Sequence, residues 1–425
     1  MRYVYSATLY LLLPLVVARV VWRSIREPAY RQRLGERLGW YSADLPGAAG
    51  PVLWVHAVSL GEVQAAAVLV RALLGRYPNQ QIVVTTSTPA GSQQVRQLFG
   101  DQVIHVYLPW DLPGACRRFL ARFQPQVLLL LETELWPNLI TLSTRQGCRC
   151  LLVNARLSAR SARRYARVPA FTSQVMQQLW HVCCQTSQDA ERFAHGGVLP
   201  AKLSVGGSLK YEASLDASLQ QQAQRLRAEH ALGERPVLLA ASTHEGEEVL
   251  LLQAFAQLRG QFPDLLLFLA PRRPERFAAV AELCTAHGLN GTRRTRHCAV
   301  AAAHQVLLVD TLGELVAYFG LADVAFIGGS LVPHGGHNPL EAALWSVPVI
   351  SGPHVHNFAD VYARLRAARA ALEVTTAEQL ALAVSELLTD DAARLARGRA
   401  GCLIVEENRG ALSATMALLE QTLRS

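Results

Sequence analysis

The sequence has 425 residues, 51% of them hydrophobic and 17% charged, with a formal net charge of +8 at pH 7. That length suits two ordinary domains, and the apolar content excludes a disordered chain. The positive balance fits acidic partners, but no dense Lys/Arg run is interleaved with aromatics, so an anionic bilayer or a phosphorylated substrate is favoured over nucleic acid.

The chain opens on an uncharged run, Tyr3 to Ala18, which Val20, Val21 and Trp22 extend past Arg19. This is about long enough to cross a bilayer if Arg19 snorkels. Arg23, Arg26, Arg31, Arg33 and Arg37 follow, which places the rest of the chain on the cytoplasmic side. A cleaved signal peptide carries its charges in front and a small-residue site behind. Here only Arg2 precedes and the basic block follows, so residues 1–22 read as an uncleaved membrane anchor. An amphipathic helix lying in the interface is the alternative.

The sequence then repeats itself. Residues 51–86 and 236–271 superimpose without a gap at an offset of 185, aligning Pro51 with Pro236, Gly61 with Gly246, Glu62 with Glu247 and Pro78 with Pro263. Each copy reads as apolar strand, polar turn, amphipathic helix and second apolar strand, a βαβ unit opening each of two similar halves. Further apolar runs continue the alternation, at Val103–Tyr107, Val127–Leu131, Leu151–Val153 and His181–Cys184, then at Gln305–Val309, Val324–Ile327, Pro348–Ile350 and Ala371–Val374. Near-continuous apolar strands separated by helices predict parallel sheets covered on both faces. The expected fold is α/β: two doubly wound, Rossmann-like domains facing across a cleft, with ligands at the carboxyl ends of the strands. The expected domains are 23–212 and 213–390, with helices over 391–425 packing back on the first.

The strand-end turns hold the candidate chemistry. Ser59 and Glu62 have capping-box spacing, and Glu62 could equally be a general base at a helix N-terminus. Ser242 and Glu245 repeat that spacing in the second half. Glu132 and Glu134 follow an apolar strand two residues apart, which in an extended segment puts them on one face. Arg156 and Lys210, after later strands, could meet a phosphate. Arg272 and Arg273 follow a strand in the second half, and Gly313-Glu314-Leu315 opens a helix. The run from Gly328 to Glu341 is glycine-rich, so its amides could approach an anion at the helix starting near Asn338, with Glu341 reaching sugar hydroxyls. No D-x-D, H-E-x-x-H or G-x-S-x-G occurs, so neither a metal-bridged diphosphate nor a metal ligand set is indicated. The eight cysteines include no C-x-x-C and read as reduced core residues.

Several of these segments are long enough to resemble one family. HAVSLGE, LPWDLP, ETELWPN, NARLSARS, GSLK, STHEGEE, PRRPERF, GGSLVPHGGHNPLEAA and GPHVHNF occur here in the order found in the 3-deoxy-D-manno-oct-2-ulosonic acid (Kdo) transferases of lipid A assembly. The resemblance implies a GT-B glycosyltransferase at the bacterial inner membrane, its catalytic domains cytoplasmic. It implies inverting transfer of Kdo from CMP-Kdo to a hydroxyl of the lipid A precursor, with no metal and no cofactor beyond the donor. It also implies that Glu62 is the base, that Glu132 and Lys210 stabilise the transition state, and that CMP meets Arg272, Arg273, Gly313, Glu314, Leu315, Asn338, Pro339, Leu340 and Glu341. The sequence departs from the family pattern at Arg273, His334, Val355 and His356, and at Tyr211 and Glu212. Another GT-B transferase or epimerase, using a UDP-sugar, is the rival reading.

Overall fold

The computed structural model of the protein describes residues 1–45, 50–212, 214–296 and 299–425. The side chain of Arg26 lies outside the described residues, as does Ala213, the expected first residue of the second domain. The chain divides into two compact units, Met1–Glu212 with Arg409–Ser425, and Ala213–Asn408.

The first unit is a seven-stranded parallel sheet. Its strands are β1 (Val52–His56), β2 (Gln81–Thr86), β3 (Ile104–Tyr107), β4 (Pro125–Leu131), β5 (Arg149–Ala155), β6 (His181–Cys184) and β7 (Leu203–Val205), in the order β3-β2-β1-β4-β5-β6-β7. Alternate residues feed two cores. Trp54, Leu128, Leu130 and Leu152 pack against helix Pro113–Phe123 through Phe119 and Phe123, while Leu53, Val55, Leu129 and Val153 face helix Leu60–Arg76. Burial on both faces is what the continuous apolar runs require.

The second unit repeats the plan with β8 (Val237–Thr243), β9 (Leu266–Pro271), β10 (Gly291–Arg293), β11 (Val306–Leu308), β12 (Val324–Ile327), β13 (Val349–Ser351) and β14 (Ala371–Glu373). The order is β10-β11-β9-β8-β12-β13-β14. The offset of 185 carries the bounds of β2 onto those of β9. The sequence pattern missed β10, a three-residue edge strand paired only with β11, because Gly291-Thr292-Arg293 has no apolar run.

The expected grouping of residues 391–425 needs correction. Helix Asp391–Glu407 stays in the second unit, packed on helix Leu340–Leu344, and only helix Ala411–Arg424 returns to the first. There Ala411 and Leu419 complete the core beside Leu53 and Val55. Among the described cysteines all seven are unpaired, and all but Cys402 are buried.

In each sheet the strand order reverses beside the first strand, between β1 and β4 and between β8 and β12. Helices leaving two such neighbours go to opposite faces, which opens a gap at the strands' carboxyl ends. Gly328, just after β12, lets the backbone close on that gap: a Cβ there would overlap the backbone carbonyl of Ser242. Gly328→Ala should therefore destabilise the second domain by about 1–3 kcal/mol, seen as a lower midpoint in thermal unfolding with the first domain's transition unmoved.

Candidate active site

In the first domain the turn after β1 sets Glu62 at the start of helix Leu60–Arg76. Ser59 is the N-cap and accepts the Glu62 amide, while the Glu62 carboxylate reaches back to the Val58 amide at 2.8 Å and to the Ser59 hydroxyl at 3.2 Å. The capping box forms, and the same carboxylate sits among other acids. Burial pushes its pKa up to about 8; the negative charges of Glu134 and Glu132 add to that, and the Val58 and Ser59 hydrogen bonds oppose it. A carboxyl held near 8 can take a proton from a hydroxyl far better than an ordinary exposed one.

Glu132 and Glu134 do not share an extended face. Glu132 has φ 55, so the chain leaves the strand at that residue. Glu132 then lies 3.8 Å from the Lys210 ammonium, while Glu134 accepts the Trp136 indole N–H at 2.8 Å and stands 3.8 Å from Nε2 of His56. The fully buried His56 is fixed through Nδ1 by Thr85. Lys210 lies on the single turn Leu209–Tyr211, which packs against helix Leu60–Arg76, and Asn154 holds that turn by accepting the Leu209 amide at 3.0 Å. Glu62, Glu132 and Lys210 are thus brought to one end of one sheet. Glu134, singled out beside Glu132 in the sequence, belongs with them, as does His56, which escaped the sequence reading although it opens the segment that carries Glu62.

Asp111 holds the helix that follows the Glu132–Glu134 segment. Its carboxylate accepts the amides of Asn138 and Leu139 at 3.0 and 2.7 Å and so caps helix Pro137–Arg145. Burial pushes the Asp111 carboxyl up to about 6, while those amides and the Tyr5 hydroxyl hold it down.

In the second domain the expected cap of Ser242 and Glu245 does not form. Ser242 is still in β8 with φ 57, the helix starts after Gly246, and the exposed Glu245 pairs with Arg276 at 3.1 Å. Glu247 takes the reaching-back role. Its fully buried carboxylate accepts the amides of His244 at 3.0 Å, Gly329 at 2.7 Å, and Ser330 and Leu331 at 2.9 Å each. Gly336 and His337 donate their amides to the carbonyls of Gly329 and Gly328. Five amides of the glycine-rich run, those of Gly329, Ser330, Leu331, Gly336 and His337, are therefore satisfied within the domain, three of them by Glu247.

The open groups lie beside that loop. Among the described residues half-buried Arg272 makes no ion pair, whereas Arg273 is exposed and stands 3.9 Å from Glu275. Asn338 donates to Glu341 at 3.4 Å and accepts the Leu340 amide at 3.1 Å, and Pro339 caps the five-residue helix Leu340–Leu344. Burial pushes the Glu341 carboxyl up, against the Asn338 hydrogen bond and the charge of Arg272. The Nε2 atoms of His244 and His337 lie 2.8 Å apart, at hydrogen-bond distance, and His334 stacks on His244. Burial holds both partners neutral, His244 near 4 and His337 near 3, with nearby arginines and the other histidines acting in the same direction. Gly313, at φ 88, precedes the short helix Leu315–Phe319. Glu314 is engaged by Thr311 at 2.5 Å and Arg294 at 3.1 Å; burial raises its carboxyl, but those two partners outweigh burial and hold it below the usual range.

Two parallel-sheet domains, each with polar turns gathered at its switch point, define the architecture of two-domain glycosyltransferases. A solved glycosyltransferase from Rickettsia africae has this fold, with a TM-score of 0.56 over 89% of this chain and 100% of that one; the 10% identity speaks for the fold alone. The family model for 3-deoxy-D-manno-octulosonic-acid transferase (Kdo transferase) matches residues 32–213. A 3-deoxy-D-manno-octulosonic acid transferase of Haemophilus influenzae is 41% identical over 421 residues, 99% of this chain and 98% of that protein. One of Bordetella pertussis is 37% identical over 436 residues, 99% of each. The chain belongs to the Kdo transferase family, and it is a glycosyltransferase.

Glu247→Ala would orphan four backbone donors. It should cost the second domain about 3 kcal/mol or more, and hydrogen exchange at the Gly329, Ser330 and Leu331 amides should accelerate before exchange in β8 does.

Proposed function

We propose that the enzyme moves Kdo from CMP-Kdo to a hydroxyl of the lipid A precursor, in one inverting displacement that uses no metal and no further cofactor. It works at the cytoplasmic face of the bacterial inner membrane, to which its N-terminal helix holds it. The observation that carries this reading is the Glu62 carboxylate, half inside a cap and raised toward the pH at which it can act as a base.

The first domain activates the acceptor. Glu62 takes the proton of the attacking hydroxyl, whose oxygen forms the new bond to the anomeric carbon. The bond from that carbon to the CMP phosphate oxygen breaks, and its electron pair leaves with CMP. Lys210 supplies positive charge as negative charge develops on the donor, and Glu132, 3.8 Å away, keeps that ammonium in place. The second domain binds CMP. Arg272 and Arg273 meet the phosphate, the Gly313-Glu314-Leu315 turn and residues Asn338, Pro339 and Leu340 present backbone to the nucleotide, and Glu341 accepts from its hydroxyls. The side chain of Glu314, held by Arg294, orders its turn rather than touching the ligand. A single phosphate leaves, so cationic side chains can do what a metal does for a diphosphate.

Purified enzyme given a lipid A precursor and CMP-Kdo in EDTA should yield product heavier by one or more Kdo units, with CMP and not UDP competing. Absence of product alongside a working control enzyme would overturn the reading. Glu62→Gln should lower turnover by roughly 10²–10⁴-fold and leave CMP affinity unchanged. The base must be ionised to act, so kcat/KM should rise with pH through a limb near 8. Glu134→Gln removes a negative neighbour, lowers the Glu62 pKa and should move that limb to lower pH. A limb at an ordinary carboxylate pH, indifferent to Glu134, would count against Glu62 as the base.

A further inference from the structure

The N-terminal helix Arg2–Arg26 is long and apolar enough over Arg2–Ile25 to cross a membrane. Its two faces differ. Ser6, Leu9, Leu13, Val20 and Ser24 are buried or half-buried, and their spacing places them on one stripe. Val4, Leu11, Leu15 and Trp22 form the opposite stripe and are 70%, 79%, 67% and 62% exposed. Protein therefore lies against one side of the helix near both of its ends, residues 14–19 between them are exposed, and the bare side is apolar.

Both ends are fastened to the first domain. At the start, the Tyr5 hydroxyl donates to Asp111 at 3.0 Å, the Ser6 hydroxyl donates to Asn138 at 3.0 Å, and the Tyr10 oxygen accepts the Gly114 amide at 3.3 Å. In the last turn Arg23 lies over the buried ring of Tyr30, and past that end the Arg37 side chain donates to the Ser87 carbonyl at 2.9 Å and the Arg37 carbonyl accepts the Trp110 amide at 2.7 Å. Trp110 and Asp111 are consecutive residues. The chain thus leaves Asp111 at Tyr5, runs the length of the helix and returns to the residue next door. Ser6 and Ser24 are about 27 Å apart along the helix axis at 1.5 Å per residue, close to the roughly 30 Å of a hydrocarbon core. A helix crossing that core would put Tyr5 on the far side from Asp111.

We infer that this helix lies in the plane of the bilayer surface, its outer face in lipid and both its ends on the side of the catalytic domains. This rests on the membrane association proposed above and replaces crossing with lying along. The surroundings suit a lipid surface. Exposed Arg19 and Arg31 lie on and just after the helix, and exposed Arg117 sits on the helix whose first turn holds Tyr10, available to anionic headgroups. Trp22 and Trp40 are exposed indoles of the kind that settle at headgroup depth. Through Asp111 and Asn138 the lipid-facing helix is tied to helix Pro137–Arg145, which directly follows the segment carrying Glu132 and Glu134.

The test is sidedness of the full-length protein bearing a short protease-cleavable epitope tag at each terminus. Ser425 belongs to the first domain, so its tag reports the side on which that domain lies. Protease is added to sealed inside-out and right-side-out vesicles. The expected result is that the two tags behave alike: both cleaved in inside-out vesicles, both shielded in right-side-out ones until detergent is added. One tag cleaved while the other stays shielded would show a crossing helix and overturn the inference, leaving membrane association intact. Protein that washes off the vesicles altogether would instead overturn the membrane association on which the inference rests.

Discussion

Where the strand order of a parallel sheet reverses, two neighbouring turns must share a gap that no helix covers, and in both domains a glutamate from the first turn occupies it. The two glutamates are the same position of one repeated unit. Glu247 closes its gap completely, collecting four backbone amides from its own turn and from the loop after β12. Glu62 closes its gap only in part, accepting one amide and one hydroxyl. A carboxylate with four short donors has its charge answered by the backbone and becomes structure. One with two, buried beside other carboxylates, is left with unanswered charge, and that imbalance is what raises its pKa.

The remaining groups follow from that difference. In the first domain Lys210 serves Glu132, His56 and the Trp136 indole serve Glu134, and Glu62 has only the donors of its own turn. In the second domain the glycine-rich loop is rigid because Glu247 organises it from inside. The side chains that follow it, Asn338 and Glu341, hang from a fixed backbone rather than a mobile one. Preorganisation of this kind removes reorganisation cost at the moment of bond exchange.

Much of the fold was legible because burial on both faces writes parallel strands as apolar runs, and because the repeat exposed its own period. β10 left no such trace, being an edge strand of glycine, threonine and arginine. The strand-end turns were legible as motifs but not as geometry. A period-two argument put Glu132 and Glu134 on one face, and the positive φ of Glu132 sent them to different partners. The capping rule worked at Ser59 and failed at Ser242, where the strand runs on and Gly246 starts the helix. The glycine-rich run gives three of its amides to Glu247, a side chain from a turn more than eighty residues earlier, which no local spacing shows. The seat of Tyr5 on Asp111 spans 106 residues of sequence and leaves no local signature.

The return of helix Ala411–Arg424 to the first domain has a bearing on biosynthesis. A ribosome delivers β1 to β7 well before it delivers the helix that seals the core around Leu53 and Val55. The second domain, by contrast, is complete once Asn408 has emerged. The domain begun first is therefore finished last, and until then its nascent form carries an open apolar seam. Emergence of helix Ala411–Arg424, rather than of the seventh strand, sets the moment at which that domain matures.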